Sequence, residues 1–352
     1  MPLLARMVAS PLVVDVRRGA VQGLHGLLAE GRISAGGKVA VLVGPGQGEE
    51  LARVLQPTLS KATLLPVRSA SVEQARELAG TVRQSSYDAV VGIGGGRTLD
   101  VAKYVATLVA LPMVSVATNL AHDGIASPVA SLEYEGRKGS YGAHIPLAVF
   151  VDLDYVMRAP PQMVRAGVGD VVSNLSALAD WRLAADERGE AMDGLASAFA
   201  RSAAEAVLSR TDTIDSLDFL TTLSEALILS GLAMAVAGSS RPCSGGDHEI
   251  LHAIDQLYPG VSNHGELAGI GALFCAFLRE DEMALRSIDE CLRRHQLPRG
   301  PADVGLTADQ FVAAVELAPG TRPDRFTILE HLALSPDDIR KRVDEFRTSV
   351  AG

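Results

Sequence analysis

Short apolar runs and helically spaced stretches alternate through the first 150 residues. "KVAVLVGPG" (38–46) is a valine-rich run ending in Gly-Pro-Gly, which predicts a buried strand and a turn. "GEELARVLQPTL" follows with helical spacing. "ATLLPV" is a second strand, and "SVEQARELAGTVRQSS" is a helix capped by Ser71, with Glu73 in its first turn. "YDAVVGIGGG" runs into glycines and leads to the helix "RTLDVAKYVATLVA"; "PMVSVAT" and "LAVFVDLDYV" (147–156) are further strands. The opening "MPLLARMVASPLVVDVRRGA" also reads as a strand, because no basic segment precedes a continuous apolar core as in a signal peptide. Strand and helix in alternation predict right-handed βαβ units on a parallel sheet.

After about residue 157 the β-branched runs vanish. "SNLSALADWRLAADERGEAMDGLASAFARSAAEAVLSR", "FLTTLSEALILSGLAMAVAG" and "GELAGIGALFCAFLRED" have helical spacing, and some are apolar most of the way round, as for helices buried in a bundle. The expected fold is an α/β Rossmann-like parallel-sheet domain over residues 1–155, followed by an all-α helical-bundle domain over residues 156–352.

Length and composition agree with two globular domains. The chain has 352 residues, 47% hydrophobic and 21% charged. A net charge of −10 argues against a nucleic-acid partner, whose phosphates need a basic footprint, but leaves room for a small anionic substrate in a local basic pocket. No apolar run is read here as reaching the roughly 20 residues that span a bilayer. Cys243, Cys275 and Cys291 are odd in number and lack CxxC spacing, which suits a reducing cytoplasm.

Two loops carry candidate binding chemistry in the first half. "VVGIGGGRTLDVAK" places Gly92, Gly94, Gly95 and Gly96 between a strand and a helix. Side chains there would block a phosphate from the first helical N–H groups, so the loop favours a pyrophosphate, although it is not the GxGxxG fingerprint. "SVATNLAHDGIASPVASL" (115–132) gathers Thr118, Asn119, His122, Asp123 and Ser127 after the next strand, at the carboxyl end of the sheet where open α/β folds bind ligands.

The second half carries candidate metal chemistry. "GGDHEILHAIDQLYPGVSNHGE" holds His248, His252 and His264 of only eight histidines in the chain. His248 and His252 stand at i and i+4 and share a helix face; His264 lies in a loop entering the next helix. Two or three imidazoles leave a zinc short of four partners, and the best additional carboxylate is Asp170 in "RAGVGDVVSN".

Taken in order, "GGGRTLD", "TNLAHDGIASP", "GVGDVVSN", "GSSRPCSGGDHEILHAID" and "NHGE" resemble the sn-glycerol-1-phosphate dehydrogenases, in the superfamily of iron-type alcohol dehydrogenases, glycerol dehydrogenase and dehydroquinate synthase. The resemblance runs from about residue 38 to 275 and implies a dehydroquinate synthase-like fold. It implies reversible, NAD(P)H-dependent reduction of dihydroxyacetone phosphate to sn-glycerol 1-phosphate. Gly94, Gly95, Gly96, Arg97, Thr98, Leu99 and Asp100 would line the cofactor phosphates, and Thr118, Asn119, Leu120, Ala121 and Ser127 would hold the nicotinamide half. Asp170, His248 and His264 would bind one zinc per chain; Asp123, Asp170 and His252 would contact substrate, with Asp123 and His252 catalytic. Asp, His and His leave an open position, the pattern of a catalytic zinc. Iron-type alcohol dehydrogenases carry a second metal histidine four residues after the aspartate. Asn174 stands there, and an amide is a poor ligand, so zinc with three protein ligands is favoured over iron(II) or nickel(II). The family further suggests a homo-oligomer in the cytoplasm, active in phospholipid metabolism.

Three departures bear on the substrate side. Cys243, Gly246 and Asp247 replace the family's more frequent Ala, Ser and Glu, and Cys243 is an alternative ligand. A polyol dehydrogenase is the first competing function. A dehydroquinate-synthase-like cyclase would carry Gly-Gly-Lys after the second-loop aspartate, where "DGIASPVASL" has no lysine. An inactive ligand-binding homologue is the alternative of another class. "GRKGSYGAH" (136–144) offers Arg137, Lys138 and His144 either to a substrate phosphate or to solvent as a charged hairpin.

Overall fold

The computed structural model describes residues 10–29, 33–34, 37–57 and 59–350. It divides into two compact units, one ending at Ala159 and the other beginning at Pro160. Residues 1–9 of the opening stretch lie outside the described residues.

The first unit is built on six parallel strands: β1 (Val13–Arg17), β2 (Val39–Val43), β3 (Thr63–Pro66), β4 (Ala89–Gly94), β5 (Met113–Ala117) and, after an intervening hairpin, β8 (Ala148–Asp152). Their order is β1-β8-β5-β4-β2-β3, every pairing parallel. β2, β4, β5 and β8 are buried along their whole length, which is why they read as unbroken apolar runs. The winding runs outward from β2 to β3 and then returns past β2 to β4, β5 and β8. The β2–β4 boundary is therefore the topological switch point, where an open α/β sheet binds ligands beyond its carboxyl edge. Ser71 caps the helix Val72–Arg83 by accepting from the Gln74 N–H, as its position predicts.

One local feature differs from the sequence reading, and a second was only one of its two alternatives. The strand expected over 147–156 ends at Asp152, and Leu153–Val156 form a helical turn. The Asp152 carboxylate accepts from the N–H groups of Asp154, Gly19 and Val21, so this residue stops the strand and ties it to the segment after β1. An antiparallel hairpin, β6 (Val129–Tyr134) and β7 (Arg137–Gly142), stands apart from the main sheet. Its two-residue turn places Glu135 at φ 51° and Gly136 at φ 75°, the left-handed pair that matches strand twist.

The second unit is helical throughout its regular structure among the described residues. Helix Leu217–Ala237 corrects the expectation about apolar runs. Its 21 residues are long and apolar enough to cross a membrane by length and composition alone, but 67% of its apolar window is buried inside the protein. It thus behaves as a core helix of the bundle. The helix His264–Leu278 is likewise buried nearly all round.

Candidate metal centre and cofactor loop

Three helices deliver the candidate ligands. Asp170 lies in the last turn of Pro161–Val172, His248 in the first turn of Gly246–Leu257, and His264 at the first position of His264–Leu278. Their convergence depends on missing side chains. A Cβ on Gly169 would overlap the Gly265 carbonyl, and one on Gly265 the Ala166 carbonyl, so "GVGD" and "NHGE" let two helix backbones touch beside Asp170 and His264. Gly271 admits the Asp247 carbonyl in the same way on the other side of the helix. Asn263 and Glu266 form a capping box that fixes the start of the helix at His264.

The donor atoms of Asp170, His248 and His264 lie within 4.8 Å of one another. His264 Nε2 is 3.6 Å and His248 Nε2 4.0 Å from Asp170 Oδ1. Tetrahedral bonds of about 2.0–2.1 Å put neighbouring donors roughly 3.3 Å apart, so a small contraction would close this set around a divalent cation. Asp247 supports the fit. It is fully buried, and its Oδ2 lies 2.5 Å from His248 Nδ1, while Oδ1 accepts from the Gly245 N–H at 3.1 Å. A carboxylate on Nδ1 holds the proton there and leaves the Nε2 lone pair directed to the triad, the usual outer support of a metal histidine. Asp180 secures the same helix start by accepting from the Gly246 and Ile328 N–H groups while pairing with Arg279.

His252 is one turn along from His248, with its ring centroid 6.3 Å from that of His248 and 6.5 Å from that of His264. Its Nε2 takes a hydrogen bond from Arg322 Nη2 at 2.8 Å. A guanidinium can only donate, so the neutral ring carries its proton on Nδ1. Asn174 does not join the triad: its Nδ2 donates to Ser230 Oγ at 2.8 Å and to the Ala200 carbonyl. Cys243 packs in an apolar cluster with Leu178, Trp181 and Met234, and its thiol reaches the Ser230 carbonyl.

In the first unit the glycine loop joins β4 to the helix Gly96–Val109, with Gly95 as the N-cap. The second loop lies beside it, since β4 and β5 are paired through Gly94 and Ala117 and the Thr118 N–H donates to the Gly94 carbonyl. Asn119 fills the space a Cβ on Gly95 would need, and His122 the space beside Gly96. Arg97 is exposed and Thr98 buried. Leu99 is a core residue, and Asp100 is buried in an ion pair with Lys103 at 3.0 Å. Lys103, itself fully buried, also donates to Ser127 Oγ and the Ser127 and Val129 carbonyls, lacing the second loop to the helix. Leu120 is buried and Ala121 half-buried; Asp123 opens a single helical turn, Asp123–Ile125. Arg137, Lys138 and His144 are exposed.

Comparison with known proteins places this arrangement. A family model described as iron-containing alcohol dehydrogenase matches residues 15–160. Glycerol-1-phosphate dehydrogenase [NAD(P)+] of Archaeoglobus fulgidus is 38% identical over 293 residues, 82% of this chain and 83% of that protein. The enzyme of the same name from Hyperthermus butylicus is 35% identical, over 92% of this chain and 94% of its own. The chain belongs to the glycerol-1-phosphate dehydrogenase family. Its fold is that of a probable glycerol dehydrogenase from Sinorhizobium meliloti, with a TM-score of 0.78 at 23% identity and coverage of 98% and 99% of the two chains.

Two supports of this glycerol-1-phosphate dehydrogenase family member escaped the sequence reading. Asp247 stood out only as a departure, although an acid directly before a ligand histidine is itself a signal. Lys103 was hidden in a helix, but Asp100 and Lys103 at i and i+3 in an otherwise apolar stretch mark a buried pair.

Proposed function

We propose that the chain is a metal-dependent NAD(P)H oxidoreductase that reversibly reduces dihydroxyacetone phosphate to sn-glycerol 1-phosphate. The observation that carries this reading is the triad Asp170, His248 and His264, with a buried carboxylate behind one imidazole. Membership of the family supplies the substrate. The first unit would bind the cofactor, with Gly94, Gly95, Gly96, Arg97 and Thr98 at its pyrophosphate and Thr118, Asn119, Leu120, Ala121 and Ser127 along the nicotinamide half; Leu99 and Asp100 would contribute through backbone and loop support. β2 runs into Gly44 with no acidic residue there to reject a 2′-phosphate, so both NADH and NADPH are expected to serve.

When bound, zinc supplies Lewis acidity toward a ketone oxygen and the nicotinamide supplies the hydride. The remaining work belongs to the protein. Asp247 holds the His248 tautomer. Asp170 would accept a hydrogen bond from the substrate hydroxyl, and Asp123 is the substrate contact proposed for the first unit. His252, its ring oriented by Arg322 at Nε2, would pass to the developing alkoxide a proton that the ring takes up from solvent. The three free, buried cysteines suit the cytoplasm, and a homo-oligomer is expected.

The test is oxidation of NADH and NADPH by the zinc-loaded protein with dihydroxyacetone phosphate and with dihydroxyacetone, together with the configuration of the product. Turnover of the phosphate ester to the sn-1 product supports the reading. Turnover of the free ketone alone would make the chain a polyol dehydrogenase, and no turnover of either with zinc bound would make it a binding protein.

A further inference from the structure

A cluster of arginines lies beside His252, on the side of that ring which faces Nε2. Arg322 follows the helix Ala308–Thr321, and a turn closed by the Arg325 N–H on the Arg322 carbonyl at 3.0 Å brings the second arginine alongside. Both guanidiniums converge on one hydroxyl: Arg322 Nη1 donates to Ser240 Oγ at 3.1 Å and Arg325 Nη2 at 2.5 Å. Their other branches donate to His252 Nε2 and to the Ser244 carbonyl. Arg241 adjoins the group, but Glu190 binds it through both carboxylate oxygens.

Charge distinguishes these two arginines from their neighbours. Arg241, Arg279 and Arg299 of the same unit each have a carboxylate partner. Neither Arg322 nor Arg325 has one at ion-pair distance among the described residues; their partners are a serine hydroxyl, an imidazole and a carbonyl. Burial pushes the Arg325 guanidinium down to about 9 and lowers that of Arg322, so the protein does not make good the water these charges have lost. Ser240 Oγ accepts from both forks, which leaves its own proton to donate. The N–H groups that these two positive forks do not spend on protein partners, with the adjoining Ser240 proton, are the donors a tetrahedral dianion would take.

We propose that Arg322, Arg325 and Ser240 bind the phosphate of a three-carbon phosphate monoester whose oxidisable carbon lies at the Asp170–His248–His264 centre. This rests on the reading of the chain as a reductase of a phosphorylated ketone and assigns the group that distinguishes the ester from a free polyol. Arg322 joins the two ends of the site, since the same guanidinium touches Ser240 and the imidazole that stands beside the two ligand histidines. The exposed Arg137 and Lys138 of the first unit's hairpin are not needed for this role.

The experiment compares wild type, Arg325→Ala and Arg325→Lys, each zinc-loaded and checked by circular dichroism. It measures kcat/KM for dihydroxyacetone phosphate and for dihydroxyacetone, and binding of inorganic phosphate by calorimetry. Arg325→Ala should lower the ratio of ester to free-ketone kcat/KM by about 10²-fold, the usual scale for losing one charge-assisted anion contact. Arg325→Lys should recover part of that ratio, and phosphate affinity should fall in parallel with it. Equal losses on both ketones, or an unchanged ratio with unchanged phosphate affinity, would overturn the pocket while leaving the dehydrogenase reading intact. Phosphate binding that depends on Arg325 in a protein turning over neither ketone would sink the dehydrogenase reading and keep the anion site. Should Arg325→Ala fail to fold, Arg325→Lys and Ser240→Ala carry the same comparison.

Discussion

The glycine loop of the first unit and the histidine centre of the second are built in opposite ways. The loop offers backbone N–H groups at a helix start, and its residues matter mainly for the side chains they lack. The metal centre offers three side chains, each aimed by something else: a glycine contact beneath Asp170, a carboxylate behind His248, a capping box beneath His264. A backbone site is lost through added atoms, whereas a side-chain site is lost through removed ones.

The sharpest way to break that contrast is steric. Gly95→Val should remove detectable NADH binding while leaving the circular dichroism spectrum unchanged, a cost of more than about 4 kcal/mol, or about 10³-fold in affinity. Because Asn119 also occupies that space, Gly95→Val combined with Asn119→Ala separates the causes. Binding restored in the double variant would show that the clash was with Asn119 and that no pyrophosphate sits against the glycine.

His252→Ala addresses the other side. It should retain zinc, measured by plasma emission, and lose about 10²–10⁴-fold in kcat, the usual contribution of a positioned proton donor. Loss of zinc would make His252 a ligand and collapse the division between the three histidines. Asp247→Asn is gentler. The amide can still meet the His248 ring but no longer holds a full negative charge on it, so zinc affinity by competitive chelation should fall about 10- to 100-fold. Unchanged affinity would reduce Asp247 to packing.

How much of this was legible in the sequence follows the same contrast. The alternation of apolar runs and helices announced the parallel sheet, because strands buried on both faces cannot disguise themselves. Gly95 and His248 stood out because glycine clusters and histidines four apart are rare locally. The features that went unread are made by distance in the chain. Arg322 and Arg325 stand 70 and 85 residues from the His252 and Ser240 they touch. Nothing near them in sequence marks a site. The end of β8 turned on what the Asp152 side chain caps. Helix Leu217–Ala237 looks the same whether lipid or protein surrounds it.

The smallest expected effect is on stability alone. His295 is buried, stacked on Phe219 at 4.6 Å, and both ring nitrogens lack a hydrogen-bond partner. Burial lowers its pKa to about 4. A depressed histidine favours the neutral form in the fold, so its contribution is complete above the unfolded pKa near 6.5 and is lost as pH falls from there toward 4. Wild-type stability in urea should therefore drop by on the order of 2 kcal/mol across that window from this group, and His295→Phe should remove that part of the slope. An identical slope in the variant would place the titration elsewhere.

The central claim is that a single metal held by Asp170, His248 and His264 makes this chain a ketone reductase. The most direct measurement titrates zinc into chelator-stripped protein while following NADH oxidation by dihydroxyacetone phosphate. The account predicts no turnover without metal, a rise that saturates at one zinc per chain, and neither binding nor turnover at those concentrations in His264→Ala. Full activity in the metal-free protein, or full zinc binding by His264→Ala, would contradict it.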